Sequence, residues 1–132
     1  MATGYVIRTL VPTVSLYDIV YPSTANLSGK QYLFVKDTGS AIAVASTGEK
    51  TLGVLQDGFD GSVRANVATV RTVGLSKVIA GGTVNVGDFV KSDANGAAIT
   101  VTPGDEYQGY ALDGGTAGTA IVIVVEHGTT HA

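Results

Sequence analysis

The strongest constraint in this chain is that it writes the same β-type pattern twice. Phe34-Val35-Lys36 returns as Phe89-Val90-Lys91, Ala41-Ile42 as Ala98-Ile99 and Gly53 as Gly109. Asp57-Gly58 then returns as Asp113-Gly114, and Gly61-Ser62 as Gly118-Thr119, with an offset that drifts only from 55 to 57 residues. Each copy reads as a strand opening at Phe-Val-Lys, a turn, a hairpin strand, a glycine-containing strand, an Asp-Gly turn and a long outgoing strand. Neither copy has enough apolar residues for its own core, so the two are expected to pack on each other as one domain.

Helical signals are nearly missing, because no window keeps apolar residues at i, i+3, i+4 and i+7 for three turns. Short Val/Ile/Thr/Tyr runs bounded by turn formers predict strands near 5–11, 31–36, 41–45, 52–56, 62–73, 88–91, 97–102, 107–112 and 119–126. The fold class is therefore all-β: a compact, barrel- or sandwich-like single domain built from a duplicated β unit, with an extended N-terminal segment. Residues 1–30 read as an arm or a first strand outside the repeat, and 31–132 as the barrel-like domain with copies at 34–69 and 89–126.

Two runs predict how strands are buried. Val63, Ala65 and Val67 alternate with Arg64 and Asn66, as a half-exposed strand should, but beyond Val67 the alternation slips. A bulge or a strand that changes sheets is expected there. Ile121-Val122-Ile123-Val124-Val125 is apolar on both faces, which predicts a central strand or one buried against another subunit.

Composition narrows the function classes. There is no cysteine among the 132 residues, which excludes a disulfide framework, a thiolate zinc site and a cysteine nucleophile. Eight basic and eleven acidic residues give a net charge of −3 with no Lys/Arg cluster, so nucleic acid is not expected as a partner. Arg8, Pro12, Asp18 and Pro22 break up the leading apolar residues, and neither a signal peptide nor a membrane-spanning segment is expected. Charged residues are only 14% of the chain, against about 25–35% on ordinary surfaces. Either other subunits cover part of this surface, or it is a neutral Thr/Ser/Gly-rich β surface.

The leading segment up to residue 32 holds four of the six tyrosines, Tyr5, Tyr17, Tyr21 and Tyr32. Aromatic side chains offer large contact area with few rotors to freeze, so Tyr5, Ile7, Tyr17 and Tyr21 are the candidates for contact with another subunit or protein. The alternative is that Val6, Ile7 and Leu10 form an ordinary first strand.

Motifs for chemistry do not hold up. Gly48-Glu49-Lys50-Thr51 has Glu where a phosphate-binding loop needs Lys and lacks the upstream glycine, so a plain turn is expected. His127 and His131 flank a glycine and two threonines near the end of the chain and read as solvated tail residues rather than zinc ligands. Asp57, Asp60, Asp88, Asp93, Asp105, Glu106 and Asp113 nearly all adjoin Gly or Asn, the signature of turns, and lack calcium-loop spacing. No serine has a base placed to activate it. No catalytic residue, cofactor or metal is expected.

With the repeat in view, Ala80-Gly-Gly-Thr-Val-Asn-Val-Gly-Asp-Phe-Val-Lys-Ser-Asp-Ala-Asn-Gly96 resembles the characteristic stretch of the capsid cement, or head decoration, proteins of tailed bacteriophages. Gly109-Tyr-Ala-Leu-Asp and Gly118-Thr-Ala-Ile-Val-Ile-Val continue the likeness, which spans about residues 27 to 126. The resemblance implies a compact β-barrel-like domain, a homotrimer without cofactor, seated on the outer surface of the mature capsid and clamping neighbouring major capsid proteins. The Tyr-rich leading segment departs from that pattern and leaves open whether an arm or the barrel's loops grip the shell. Two other readings stand beside it: a carbohydrate-binding or fibre module in which Tyr107 and Tyr110 stack on sugar rings, and a small hydrolase built on Asp57 and Asp113.

Overall fold

The structure, a computed structural model, describes residues 17–23, 26–39, 41–58 and 67–130. Among them are nine strands and no helix: β1 (Tyr17–Pro22), β2 (Phe34–Asp37), β3 (Ile42–Val44), β4 (Gly53–Leu55), β5 (Val67–Ile79), β6 (Phe89–Ser92), β7 (Ala98–Thr100), β8 (Glu106–Ala111) and β9 (Ala120–Thr129). They form one curled antiparallel sheet in the order β3-β2-β4-β5-β9-β8-β6-β7, with β1 beside β5. The curl brings the two copies together: Gly96 O accepts from Phe34 N–H at 2.8 Å, and Ser92 O accepts from Gly48 N–H at 3.0 Å.

The duplication is structural, because both copies use one pairing scheme. Phe34 lies opposite Val54 and Val35 opposite Gly53; Phe89 lies opposite Tyr110 and Val90 opposite Gly109. Leu55 pairs Val70 as Ala111 pairs Ile123. One correction follows in the hairpin: Ile42 faces Asp37 and Ala98 faces Ser92, so Ile42 corresponds to Ala98 and not to Ile99. The scheme also continues upstream of residue 30, since Tyr21 pairs Ala68 as Val78 pairs Ile121. β1 thus occupies, beside the first half of β5, the place that the second half of β5 occupies beside β9.

β5 joins the copies. Its residues up to Val73 pair with β1 and β4, and from Gly74 onward it pairs with β9. The broken alternation thus corresponds to a change of partners within one sheet, and it falls at Gly74, whose φ of +108° suits a residue without a Cβ. Ala68, Val70, Ser76, Val78 and Ala80 all point inward and Val73 outward. Val63 and Ala65, whose alternation announced the strand, lie outside the described residues. β9 lies between β5 and β8, the central position that its unbroken apolar run called for.

Two apolar clusters make the interior. Leu27, Val35, Ile42, Leu55, Ala68 and Val70 form the first, with Tyr21 and Leu52 packed against it. Their counterparts Val84, Val90, Ala98, Ala111, Ile121 and Ile123 all lie in the second. There the second copy has alanine in place of Ile42 and Leu55, and Phe34, Ala45 and Val54 from the first copy join the cluster. Phe34 is fully buried in this way, whereas its counterpart Phe89 is only half-buried.

Phe34→Ala is therefore expected to lower the unfolding free energy by about 3–5 kcal/mol. Phe89→Ala should cost about 1 kcal/mol. Guanidinium unfolding followed by circular dichroism separates the two, and equal costs would contradict the asymmetry.

Candidate functional site

The half-buried Phe89 belongs to an aromatic group on the outer face of the second copy. Its ring centroid lies 4.2 Å from that of Tyr107 and 5.4 Å from that of Tyr110, both tilted. Residues three apart on a regular strand face opposite ways. Here the register of β8 against β9 slips between Tyr107 and Gly109, so that Gln108 and Gly109 are both buried and both tyrosines stay outside. The bulge thus assembles the group. Tyr107 lies directly over Gly128, where any Cβ would collide with the phenol. Beside the rings is a cleft of about 530 Å³ lined by Asp88, Phe89, Thr100, Pro103, Tyr107 and Thr129 among others.

Polar residues around this surface are tied into the fold. Lys36 bonds Glu49 at 2.9 Å in the first copy and Lys91 bonds Asp105 at 2.8 Å in the second, at equivalent positions. Each carboxylate also accepts a backbone N–H, Glu49 from Ser46 and Asp105 from Thr102. The Lys91 ammonium, helped by the Thr102 N–H and hydroxyl, holds the Asp105 carboxyl at about 2. Lys36 followed by Ser46 lowers Glu49 in the same direction. The segment Gly48–Thr51 is thus the turn expected of it, with Glu49 N–H bonded to Ser46 O at 3.2 Å.

Asp57 and Asp113, the pair considered for hydrolysis, perform one structural task at equivalent places. Asp57 accepts from Thr69 N–H at 3.2 Å and Asp113 from Val122 N–H at 2.7 Å, each pinning the start of an outgoing strand. Among the described residues no group of three or more His, Asp or Glu is placed to hold a metal ion, and no helix is long and apolar enough to cross a membrane.

Two polar joints were not foreseen. Gln108 Oε1 accepts from both the N–H and the hydroxyl of Thr51 at 2.9 Å, and His127 Nε2 donates to Thr51 O at 2.9 Å. His127 is therefore on β9 and bonded to the first copy, exposed as expected but not part of a tail; His131 lies outside the described residues. The second joint is Arg71, which is 4% exposed and grips Asp18 through Nε at 2.7 Å and Nη2 at 2.9 Å while Nη1 donates to Leu75 O. Asp18 looked like an interruption of the leading segment, yet it fastens β1 to β5.

Of the contact candidates, Tyr5 and Ile7 lie outside the described residues. Tyr17 opens β1, paired with Val73. Tyr21 is half-buried against the first apolar cluster. The apolar side chains that β1 and its neighbour leave in solvent are instead Ile19 at 43%, Val20 at 59% and Val73 at 45% exposure. Alternating apolar character pointed to none of these, since Ile19 and Val20 are adjacent in sequence.

No protein-family model matches the chain, and no curated protein matches it. A solved structure, the head fiber gp8.5 N base of bacteriophage phi29, shares the fold with a TM-score of 0.62 at 19% identity, over 83% of this chain and 95% of that one.

Two outcomes test this geometry. A carboxyl held below its usual 3.8 stabilises the fold above that pH, and the contribution is lost as pH falls toward about 2. Asp105→Asn should accordingly be less stable than the wild type at neutral pH, with the gap in melting temperature closing between about pH 4 and pH 2. Asp18→Ala, which takes a bidentate carboxylate from the buried Arg71 guanidinium, should lower the unfolding free energy by about 3 kcal/mol, and the added change Arg71→Met should restore part of it.

Proposed function

We propose that this protein is a structural component of a tailed-phage head, bound to the outer surface of the mature capsid, where it straddles and stabilises contacts between major capsid subunits. The observation that carries the reading is the shared fold with a phage head-fibre base across nearly the whole of that chain, joined to the sequence resemblance to capsid cement proteins. The low charge, 14% of residues, fits a component whose surface is partly covered in an assembly. Exposed Ile19, Val20 and Val73 on the β1 side, together with Tyr5, Ile7, Tyr17 and Tyr21, are the contact surface on this reading, with a homotrimer as the bound form.

The mechanism is mass action and needs no chemistry. A ligand that binds only the expanded lattice stabilises it by RT ln(1 + [L]/Kd), about 2.7 kcal/mol per site at a hundredfold excess over Kd. Summed over many equivalent sites, such clamps oppose the outward pressure of a packaged genome. A second reading, favoured by the phi29 likeness, is the base of a fibre that uses the same seat on the head without bracing the shell.

Co-sedimentation with undecorated expanded shells, against unexpanded procapsids, tests the seat. Saturable binding to expanded shells alone is expected, and binding to neither kind would overturn the proposal. Shell melting then separates the two readings: cement raises the temperature at which expanded shells come apart, and a fibre base leaves it unchanged.

A further inference from the structure

We infer that the cleft beside Phe89 and Tyr107 is a binding site for a neutral oligosaccharide. Three observations carry this. The first is the divergence of the two copies. Tyr110 and Phe89 hold the positions of Val54 and Phe34, which in the first copy are fully buried in the core. The second copy has large aromatic groups at those positions, half-buried on its outer face. Folding does not call for a tyrosine at 110, because the first copy builds the same pairing with Val54.

The second is the bulge, which places Tyr107 and Tyr110 on one face around Phe89. Phe89 and Tyr107 line the cleft and provide apolar surface of the kind that receives the C–H face of a pyranose, with Tyr110 in contact with Phe89.

The third is the polar rim. Asp88 Oδ2 accepts from Asn85 N–H and from the Thr100 hydroxyl, both at 2.9 Å, which fixes the carboxylate at the cleft. This leaves Asp88 Oδ1 to accept from sugar hydroxyls, and Thr129 also lines the cleft. A cleft of about 530 Å³ lies within the size range of ligand sites and has room for one to two sugar rings. The Asp88 carboxylate in the lining selects against anionic sugars. A hydroxyl-rich ligand with apolar C–H faces satisfies both the rings and the rim, whereas a purely apolar ligand would strand the Asp88 charge.

The site rests on the cleft alone and stands whether or not the protein seats on capsids, so the test uses the isolated full chain. The chain has no tryptophan, so tyrosine fluorescence reports on the site. Titration with maltohexaose, cellohexaose and chitohexaose is expected to give saturable binding to at least one, with Kd on the order of 1 mM. Tyr107→Ala should weaken that binding at least about tenfold, and Asp88→Asn should weaken it to a lesser degree. Absence of binding to all three at about 10 mM overturns the inference, as does affinity that survives Tyr107→Ala. Should that variant fail to fold, amide chemical-shift changes in the wild-type protein decide the question: changes centred on Asp88, Thr100, Tyr107 and Thr129 uphold the site, and changes elsewhere or none overturn it.

Discussion

Burial of Phe34, Ala45 and Val54 among Val90, Ala111 and Ile123 is the contact on which the rest of this structure depends. A single copy of the repeat is a few short strands with one apolar face, too small to exclude water by itself. Placing the outer face of the first copy on the inner face of the second closes one core, and the alanines at 98 and 111 leave room for the intruding Phe34. β5 makes the closure obligatory by running through both copies as a single strand of thirteen residues. The arrangement is also directional. What the first copy offers to the second, the second copy offers to solvent.

Polar groups follow the same division between joints and surface. Thr51 is held at its N–H, hydroxyl and carbonyl by Gln108 and His127, so a buried amide does the work of aligning the copies rather than leaving an unsatisfied group between them. Arg71 is satisfied by Asp18 and by Leu75 O, which commits β1 to a single register on β5. Lys36–Glu49 and Lys91–Asp105, by contrast, are partly exposed pairs whose value lies in holding two equivalent turns in shape more than in net stability. At the ends of the sheet path, β3 and β7 are only three residues long, which leaves little open edge for another chain to extend.

The duplication was legible in sequence because Phe-Val-Lys, the paired glycines and the Asp-Gly turns are local devices whose physical roles force residue identity. Gly53 and Gly109 are kept because a Cβ would run into the neighbouring strand, at Arg71 O in one copy and within 3.1 Å of Val124 O in the other. Asp57 and Asp113 are kept because each caps a backbone N–H. The upstream reach of the repeat was not legible, since Tyr21 and Val78 share a place but not a side chain, and Asp18 and Leu75 still less. Tyr107 and Tyr110 were legible by residue type as a pair that could stack on sugar rings, but their placement on one face was not, because it comes only through the register slip between Tyr107 and Gly109. A strict period of two would have placed the two tyrosines on opposite sides of the sheet.

In a duplicated fold, positions where the copies agree report what the fold needs, and positions where they part report what it has been released to do. Ile42 against Ala98 and Leu55 against Ala111 part for packing, because only the second copy must admit Phe34. Leu52 and Gln108 part because Gln108 supplies the side chain that joins Thr51 across the copies. Once these are set aside, Val54 against Tyr110 and the half-buried state of Phe89 remain without a role in closing either core. The aromatic face of the second copy is therefore where selection for stability has least to say, and where binding has most freedom to act.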